Sequence, residues 1–246
     1  MLYIYIYMST GNQNNTIYIV CGQTTTGKSN LAVELALQHD GEVVSTDSRQ
    51  IYAGLDIGSN KITEREMCGV VHHGLDIVQP EQRFTVADFQ VYTRASILNI
   101  HSRGKTAILC GGTGLYIDAV MFDHYTFGGA RATPAVWRVW DGFKNCSIHW
   151  IGLHSERDVL YKRIYRRAEV KSELVFDEVR TLLLAGVSRN WLYTLGLEYT
   201  LAVDYIESLI SHTKYVELLT QKTLQYAKRQ KTWFKRNTSI HWKTID

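Results

Sequence analysis

A chain of 246 residues, 45% hydrophobic and 21% charged, holds enough apolar material for one large domain, or one domain with a small appendage, and is neither fibrous nor disordered. Its net charge of +3 is too small to mark a nucleic-acid binder by itself, so any such partner has to be argued from local clusters. Cys21, Cys68, Cys110 and Cys146 lie far apart; that excludes a zinc pattern or a disulfide framework and reads as the reduced thiols of a cytoplasmic protein, while no apolar run approaches the roughly 20 residues of a membrane span.

Met1 to Met8 alternate tyrosine with aliphatic residues. They lack the basic start and small-residue cleavage site of a signal peptide. Two readings of residues 1–15 stand open: an extra edge strand, or an extension preceding a true start at Met8. Thr16–Cys21 reads as the first core strand. Gly22-Gln23-Thr24-Thr25-Thr26-Gly27-Lys28-Ser29 follows, and Lys28–His39 reads as a helix with Leu31, Leu35 and Leu37 on its apolar side. Strand, glycine-bounded turn and helix are the setting of a phosphate-binding loop, the type shared with ATP-binding proteins. Gly22 and Gly27 let backbone N–H groups turn inward toward phosphate oxygens, Lys28 adds a point charge, and Ser29 offers a hydroxyl to Mg²⁺. The loop alone does not decide whether the ligand is a nucleotide.

Glu42–Thr46 reads as a second strand and Leu75–Val78 as a short third. Thr85–Ser102 is helical, and Thr106–Cys110 is another strand, followed by Gly111-Gly112-Thr113-Gly114. Such alternation predicts an α/β fold, a parallel sheet flanked by helices, with ligands beyond the carboxyl ends of the strands. Asp47-Ser48-Arg49-Gln50-Ile51-Tyr52 and the Gly-Gly-Thr-Gly turn should therefore face the phosphate loop. Asp47 suits a general base or a metal-bound water, although Asp-Ser is also a common helix cap. No aspartate ends the strand Thr106–Cys110, which disfavours a nucleotide-hydrolysing motor. Adjacent His72 and His73 point apart and have no third ligand at a useful spacing, so no metal is expected there.

Residues 123–146, with Phe127, Gly128, Gly129, Pro134, Trp137 and Trp140, read as a loop or short insertion between the first part of the core, 16–122, and its completion, 147–246. Ser147–Leu153 returns as a strand. The C-terminal third reads as helical over about 155–168, 172–185, 190–209 and 213–236. Arg163 and Arg167 share a helix face and could grip a pyrophosphate, or could belong to a solvated face paired with Glu169 and Glu173. Lys222, Lys228, Arg229, Lys231, Lys235 and Arg236 occur without an acid between them, interleaved with Tyr226, Trp233 and Phe234. Basic residues with stacking aromatics suit loop RNA, and equally suit a terminal helix whose rings pack inward.

In order along the chain, these blocks resemble the tRNA dimethylallyltransferase family. The resemblance rests on the loop at 22–29, Asp47–Tyr52, His72-His73 with Leu75-Asp76-Ile77, Pro80 and Thr85–Phe89, Gly111–Ile117, Arg163-Ile164 with Arg167, Glu178-Val179, and Ala227-Lys228-Arg229-Gln230 with Thr232-Trp233-Phe234. It implies a P-loop core and transfer of a dimethylallyl group from dimethylallyl diphosphate to N6 of the adenosine beside the anticodon of tRNA, by a monomer using Mg²⁺. It implies Asp47 as base, with Thr24 and Thr113 catalytic beside it. Gly22, Gln23, Thr24, Thr25, Thr26, Gly27, Lys28, Ser29, Arg163 and Arg167 would bind diphosphate, with Ser29 on the metal. Asp47, Ser48, Arg49, Gln50, Lys228, Arg229, Gln230, Lys231, Thr232, Trp233, Phe234 and Lys235 would bind tRNA. The family's inserted helical domain is reduced here to about 123–146. Its Ile-Gly-Tyr-Lys-Glu block stands as Leu195-Gly196-Leu197-Glu198-Tyr199, and Leu224 sits where arginine is common. Alternatives are an adenylate isopentenyltransferase, an RNA-binding homologue without activity, or a small-molecule kinase.

Overall fold

The computed structural model describes residues 15–123 and 138–246; the readings made for residues 1–14 and for Phe127, Gly128, Gly129, Pro134 and Trp137 lie outside them. β1 (Thr16–Gly22) leads through the glycine loop into α1 (Lys28–Gln38), which returns to β2 (Gly41–Ser45). A long excursion carries α2 (Glu64–Met67) and β3 (His72–His73) before α3 (Val86–Ser102), β4 (Thr106–Cys110) and α4 (Gly114–Met121). β5 (Ser147–His154) opens the second half, followed by α5 (Arg157–Leu184), α6 (Arg189–Leu195), α7 (Leu197–Ile206), α8 (His212–Phe234) and β6 (His241–Thr244). The strands form one sheet in the order β3-β2-β4-β1-β5-β6, parallel throughout.

The central strands are apolar on both sides because helices cover both faces. Ile17, Ile19, Leu109 and Ala107 pack under α3 and α4, while Tyr18, Val20, Val43 and Ile108 pack under α1. A second core, built around Phe176, Val179, Tyr199 and Tyr215, joins α5, α7 and α8 to the loop after β2. This helical core fixes the C-terminal helices over the strand ends, where the site lies.

Three expectations are corrected, and one strand is added. The third strand is His72–His73 rather than Leu75–Val78. Gly74 and Asp76 both take left-handed angles (φ 78° and 53°), so the chain turns away from β2 and only Val78 touches another extended residue, Tyr52. The helices read at 155–168 and 172–185 are one, α5, because nothing between Glu169 and Lys171 breaks it and Ser172 is buried in its stripe. The helix read at 190–209 is two, parted at Gly196 and Leu197, with φ 69° and 44°. β6 lies in a stretch with no strand signal of its own. It pairs with the far half of β5, and Gly152 makes room for it: a Cβ there would come 2.7 Å from the Trp242 ring.

Glu42, on β2, is 2% exposed and accepts hydrogen bonds from Arg103 at the end of α3 and from His73 (2.7 Å). The Arg103 guanidinium, with His73 behind it, pulls the Glu42 carboxyl down to about 2 from its ordinary 4.5. A depressed carboxylate contributes stability that is complete above the unfolded value and is lost as pH falls from about 4.5 toward 2. Urea titrations of the parent and Glu42→Gln should therefore differ by up to about 3 kcal/mol at pH 7 and converge near pH 2; a difference that persists at pH 2 would mean that packing, and not charge, is what Glu42 supplies.

Candidate active site

β1, β2 and β4 end side by side, and the three loops that leave them converge. At the end of β1, Gly22 has φ 123°, and a Cβ there would lie 2.1 Å from the Leu153 carbonyl oxygen of β5. No other residue can make this turn. Gly27 is also left-handed (φ 81°), and so is Thr25 (φ 60°). Thr26 donates to the Gln23 carbonyl at 2.7 Å, and Lys28 Nζ donates to the same oxygen at 2.6 Å. Burial pushes the Lys28 ammonium below the usual lysine range, opposed by the neighbouring Cys110 and Asp47. A cation so placed gains by meeting an anion.

At the end of β2, Asp47 Oδ1 accepts the Arg49 N–H at 2.9 Å, a turn that leaves its carboxylate on the cleft. Gln50 braces the neighbouring strand and loop: its Oε1 accepts from Ser45 (2.9 Å), and its Nε2 donates to the Ser59 and Asn60 carbonyls. At the end of β4, Gly111, Gly112 and Gly114 sit against Thr46, Gln230 and Trp233, each too close for a Cβ. Thr113 thus reaches the cleft between residues without side chains. The cleft measures about 540 Å³. Thr24, Thr25, Gly27, Lys28 and Ser29 line one wall, with Asp47–Gln50, Thr113, Arg167 and Tyr226 around them. Burial pushes the Tyr226 hydroxyl up, reinforced by Asp47 and offset by contacts with Thr113 and Gln230.

Several expected contacts are placed differently. Gln23 turns away from the cleft: its Nε2 donates to the Ala227 carbonyl of α8 (3.3 Å) and its Oε1 accepts the Ser155 N–H (3.1 Å). Thr26 is 2% exposed and bonded within the loop. Arg163 and Arg167 do not form one clamp. Arg163 donates to the carbonyls of Thr25 (3.3 Å) and Asp246 (2.5 Å), holding the loop from outside, and only Arg167 lines the cleft.

On α8 the expected stripe of rings and cations separates. Phe234 is 2% exposed in the core, and Gln230 is 4% exposed. Trp233 packs on Gly114 and donates Nε1–H to Asp118 at 2.8 Å, with the Arg236 guanidinium 3.9 Å over its ring. Lys222, Lys228, Arg229, Thr232 and Lys235 remain exposed, and Lys231 is half-buried. Trp233 and Phe234 are thus spent on packing, Tyr226 lines the cleft, and most of the cations face solvent.

Residues absent from the expected set also shape the site. Glu178 of α5 accepts the N–H groups of Asp56 (2.7 Å), Ile57 (2.5 Å) and Gly58 (3.1 Å) and the Tyr199 hydroxyl (3.0 Å). It thereby fixes the loop whose Gly58, Ser59, Asn60 and Lys61 close the far side of the cleft. The Glu178-Val179 pair was its only trace in sequence. Among the described residues no group of three metal-ligating side chains occurs. Ser29 faces the cleft, a single hydroxyl donor that suits Mg²⁺ shared with substrate phosphates and not a protein cage. No helix among the described residues is long and apolar enough to cross a membrane.

A family model described as IPP transferase matches residues 50–139 and 129–237. A tRNA dimethylallyltransferase of Caldanaerobacter subterraneus is 34% identical, over 94% of this chain and 92% of that protein. One from Bacillus subtilis is 32% identical, over 94% and 91%. Among solved structures, the tRNA isopentenylpyrophosphate transferase of Bacillus halodurans superposes with a TM-score of 0.81 at 31% identity, covering 94% of this chain and 90% of that one. A eukaryotic dimethylallyltransferase acting on tRNA shares the fold, with a TM-score of 0.76 at 19% identity. The match spans both halves of the sheet and the helices that close the cleft, and the chain belongs to the IPP transferase family.

Proposed function

We propose that this protein transfers a dimethylallyl group from dimethylallyl diphosphate to N6 of the adenosine adjacent to the anticodon in tRNA, releasing pyrophosphate. The observation that carries this reading is the convergence of Lys28, Asp47 and Thr113 on one cleft, beside a helix whose outer face exposes Lys222, Lys228, Arg229 and Lys235. An adenine amine is a weak nucleophile because its lone pair is delocalised into the ring. As the N6–carbon bond forms and the carbon–oxygen bond to diphosphate breaks, Asp47 takes the N6 proton and pyrophosphate leaves with the bonding electrons. Charge grows on the leaving oxygens. Lys28, Thr113 and Arg167 line the cleft, and with N–H groups of the loop they would stabilise that charge and favour the transition state over the ground state. Thr24 stands at the same wall, suited to the bridging oxygen. Mg²⁺, held by Ser29 together with the diphosphate oxygens, would supply further charge neutralisation.

The base must leave the anticodon-loop stack to reach Asp47. The exposed cations of α8 would hold the loop's phosphates while it does so, which makes affinity strongly salt-dependent. The test is label transfer. Labelled dimethylallyl diphosphate is incubated with unmodified tRNA and, separately, with AMP; ATP plus a hydroxyl acceptor controls for kinase activity. Label on tRNA is expected. Label on AMP and none on tRNA would make the protein an adenylate prenyltransferase, and transfer of phosphate from ATP would make it a kinase.

A further inference from the structure

Glu198 is an acidic residue at the wall of a cleft built for anions. It enters through the break between α6 and α7, where Gly196 and Leu197 both take left-handed angles. For leucine that conformation is costly, and such strain is kept where it aims a side chain. The Glu198 side chain is 9% exposed. Its Oε2 lies 3.6 Å from Arg49 Nη1, and its Oε1 lies 3.9 Å from Arg167 Nη2. The same Arg49 guanidinium lies over the helix start, where a Cβ at Gly196 would stand in ordinary contact with it at 3.6 Å. Arg49, Arg167 and Glu198 all line the cleft.

The geometry is that of a loose pair of ion pairs. A bidentate arginine–carboxylate contact closes to about 2.7–2.9 Å, whereas these two are longer, and Oε2 is sealed from solvent without a hydrogen-bond partner. The carboxylate therefore compensates two guanidiniums without locking either. Removing it would leave two largely buried cations facing each other, with Lys171 beside them on the cleft wall. Charges in that state are strongly attracted to any anion that enters.

We propose that Glu198 is an internal counter-anion: it holds Arg49 and Arg167 in the free enzyme and gives up Arg167 to the incoming diphosphate. The proposal rests on the reading that this cleft takes a diphosphate. It places Glu198 as a positioning residue that lowers diphosphate affinity, sets Arg167 at the phosphate side, and leaves Arg49 at the loop that follows Asp47. Product release benefits for the same reason, since the carboxylate recovers Arg167 when pyrophosphate departs.

Thermal unfolding and calorimetric titration with inorganic pyrophosphate and Mg²⁺ test it on the full chain. Glu198→Gln should melt below the parent without ligand and gain more from saturating pyrophosphate. It should bind pyrophosphate about two- to fivefold more tightly, the effect of one screened charge pair, with a steeper salt dependence. Glu198→Asp, which keeps the charge but draws it back, should fall between the two. Affinity for Glu198→Gln equal to or weaker than the parent's overturns the proposal. If that variant does not fold, unchanged or weaker binding by Glu198→Asp overturns it instead. A parent that gains no stability from pyrophosphate overturns the diphosphate reading and this inference together; a parent that gains as much as the Gln variant overturns this inference alone.

Discussion

Replacing Asp47 by asparagine should lower the single-turnover rate of prenyl transfer by about 10²–10⁴-fold, the contribution of a positioned general base, while pyrophosphate binds as tightly as before or more so. The two halves of this expectation come from different atoms. Asparagine keeps the Oδ1 that accepts the Arg49 N–H, so the turn after β2 and the position of the Asp47–Gln50 segment should survive. What is lost is a group able to take the N6 proton. The negative charge near Lys28 is lost too. Asp47 helps hold the Lys28 ammonium in its charged form against burial, so the substitution lets the Lys28 pKa fall further. It also removes a carboxylate that repels the diphosphate. The loss of that repulsion acts directly on the anion, so binding should not weaken. Rapid-quench measurement of label transfer, set beside calorimetric binding of pyrophosphate, checks both. Parallel loss of rate and of pyrophosphate affinity would instead make Asp47 a metal or diphosphate ligand.

How far the sequence exposed this site follows from how local each feature is. The loop from Gly22 to Ser29 was readable because its chemistry is written in eight consecutive residues and its flanks announce strand and helix. The parallel sheet was readable from the alternation of apolar runs with amphipathic ones. The division of labour on α8 was not. Its buried stripe runs through Val216, Leu219, Thr220, Thr223, Ala227, Gln230 and Phe234, a helical spacing with Thr and Gln at three of its positions. Those polar residues break the hydrophobic pattern: Thr220 donates back to the Val216 carbonyl of its own helix, and of the three it is Gln230 whose partners are backbone groups distant in sequence. The same distance hid β6, whose place depends on the missing side chain of Gly152. Neither Glu178 nor Glu198 carries a local signal of the groups it holds. Only the fold brings the N–H groups of residues 56–58 to the one and two arginines to the other.

Gln230→Leu should be the second severe lesion, and it bears on what α8 is for. Gln230 Oε1 accepts the N–H of Thr24 at 2.8 Å, and its Nε2 donates to the Gly112 carbonyl at 3.1 Å. One amide therefore joins two of the loops that line the cleft. Gln23 answers from the other side by donating to the Ala227 carbonyl. The basic helix and the phosphate loop are thus one body, and a leucine of similar size would leave the buried Gly112 carbonyl and the part-buried Thr24 N–H without partners, at about 1–3 kcal/mol for the buried one. The Thr24 N–H would then swing toward solvent or toward the ligand. A displacement of about 1 Å in such a loop is enough to cost on the order of 100-fold in rate. We expect kcat to fall by that order and the KM for dimethylallyl diphosphate to rise, with a lower melting temperature and little change in tRNA affinity. Gln230→Glu keeps the acceptor for Thr24 but loses the donor to Gly112, and should lie between. Filter binding of tRNA, measured beside the two kinetic constants, separates this from the role suggested by the basic sequence around it: if tRNA affinity falls while pyrophosphate still binds normally, Gln230 is an RNA contact. The RNA-binding surface would then extend inward to the loop itself, and not stop at the outer face of α8.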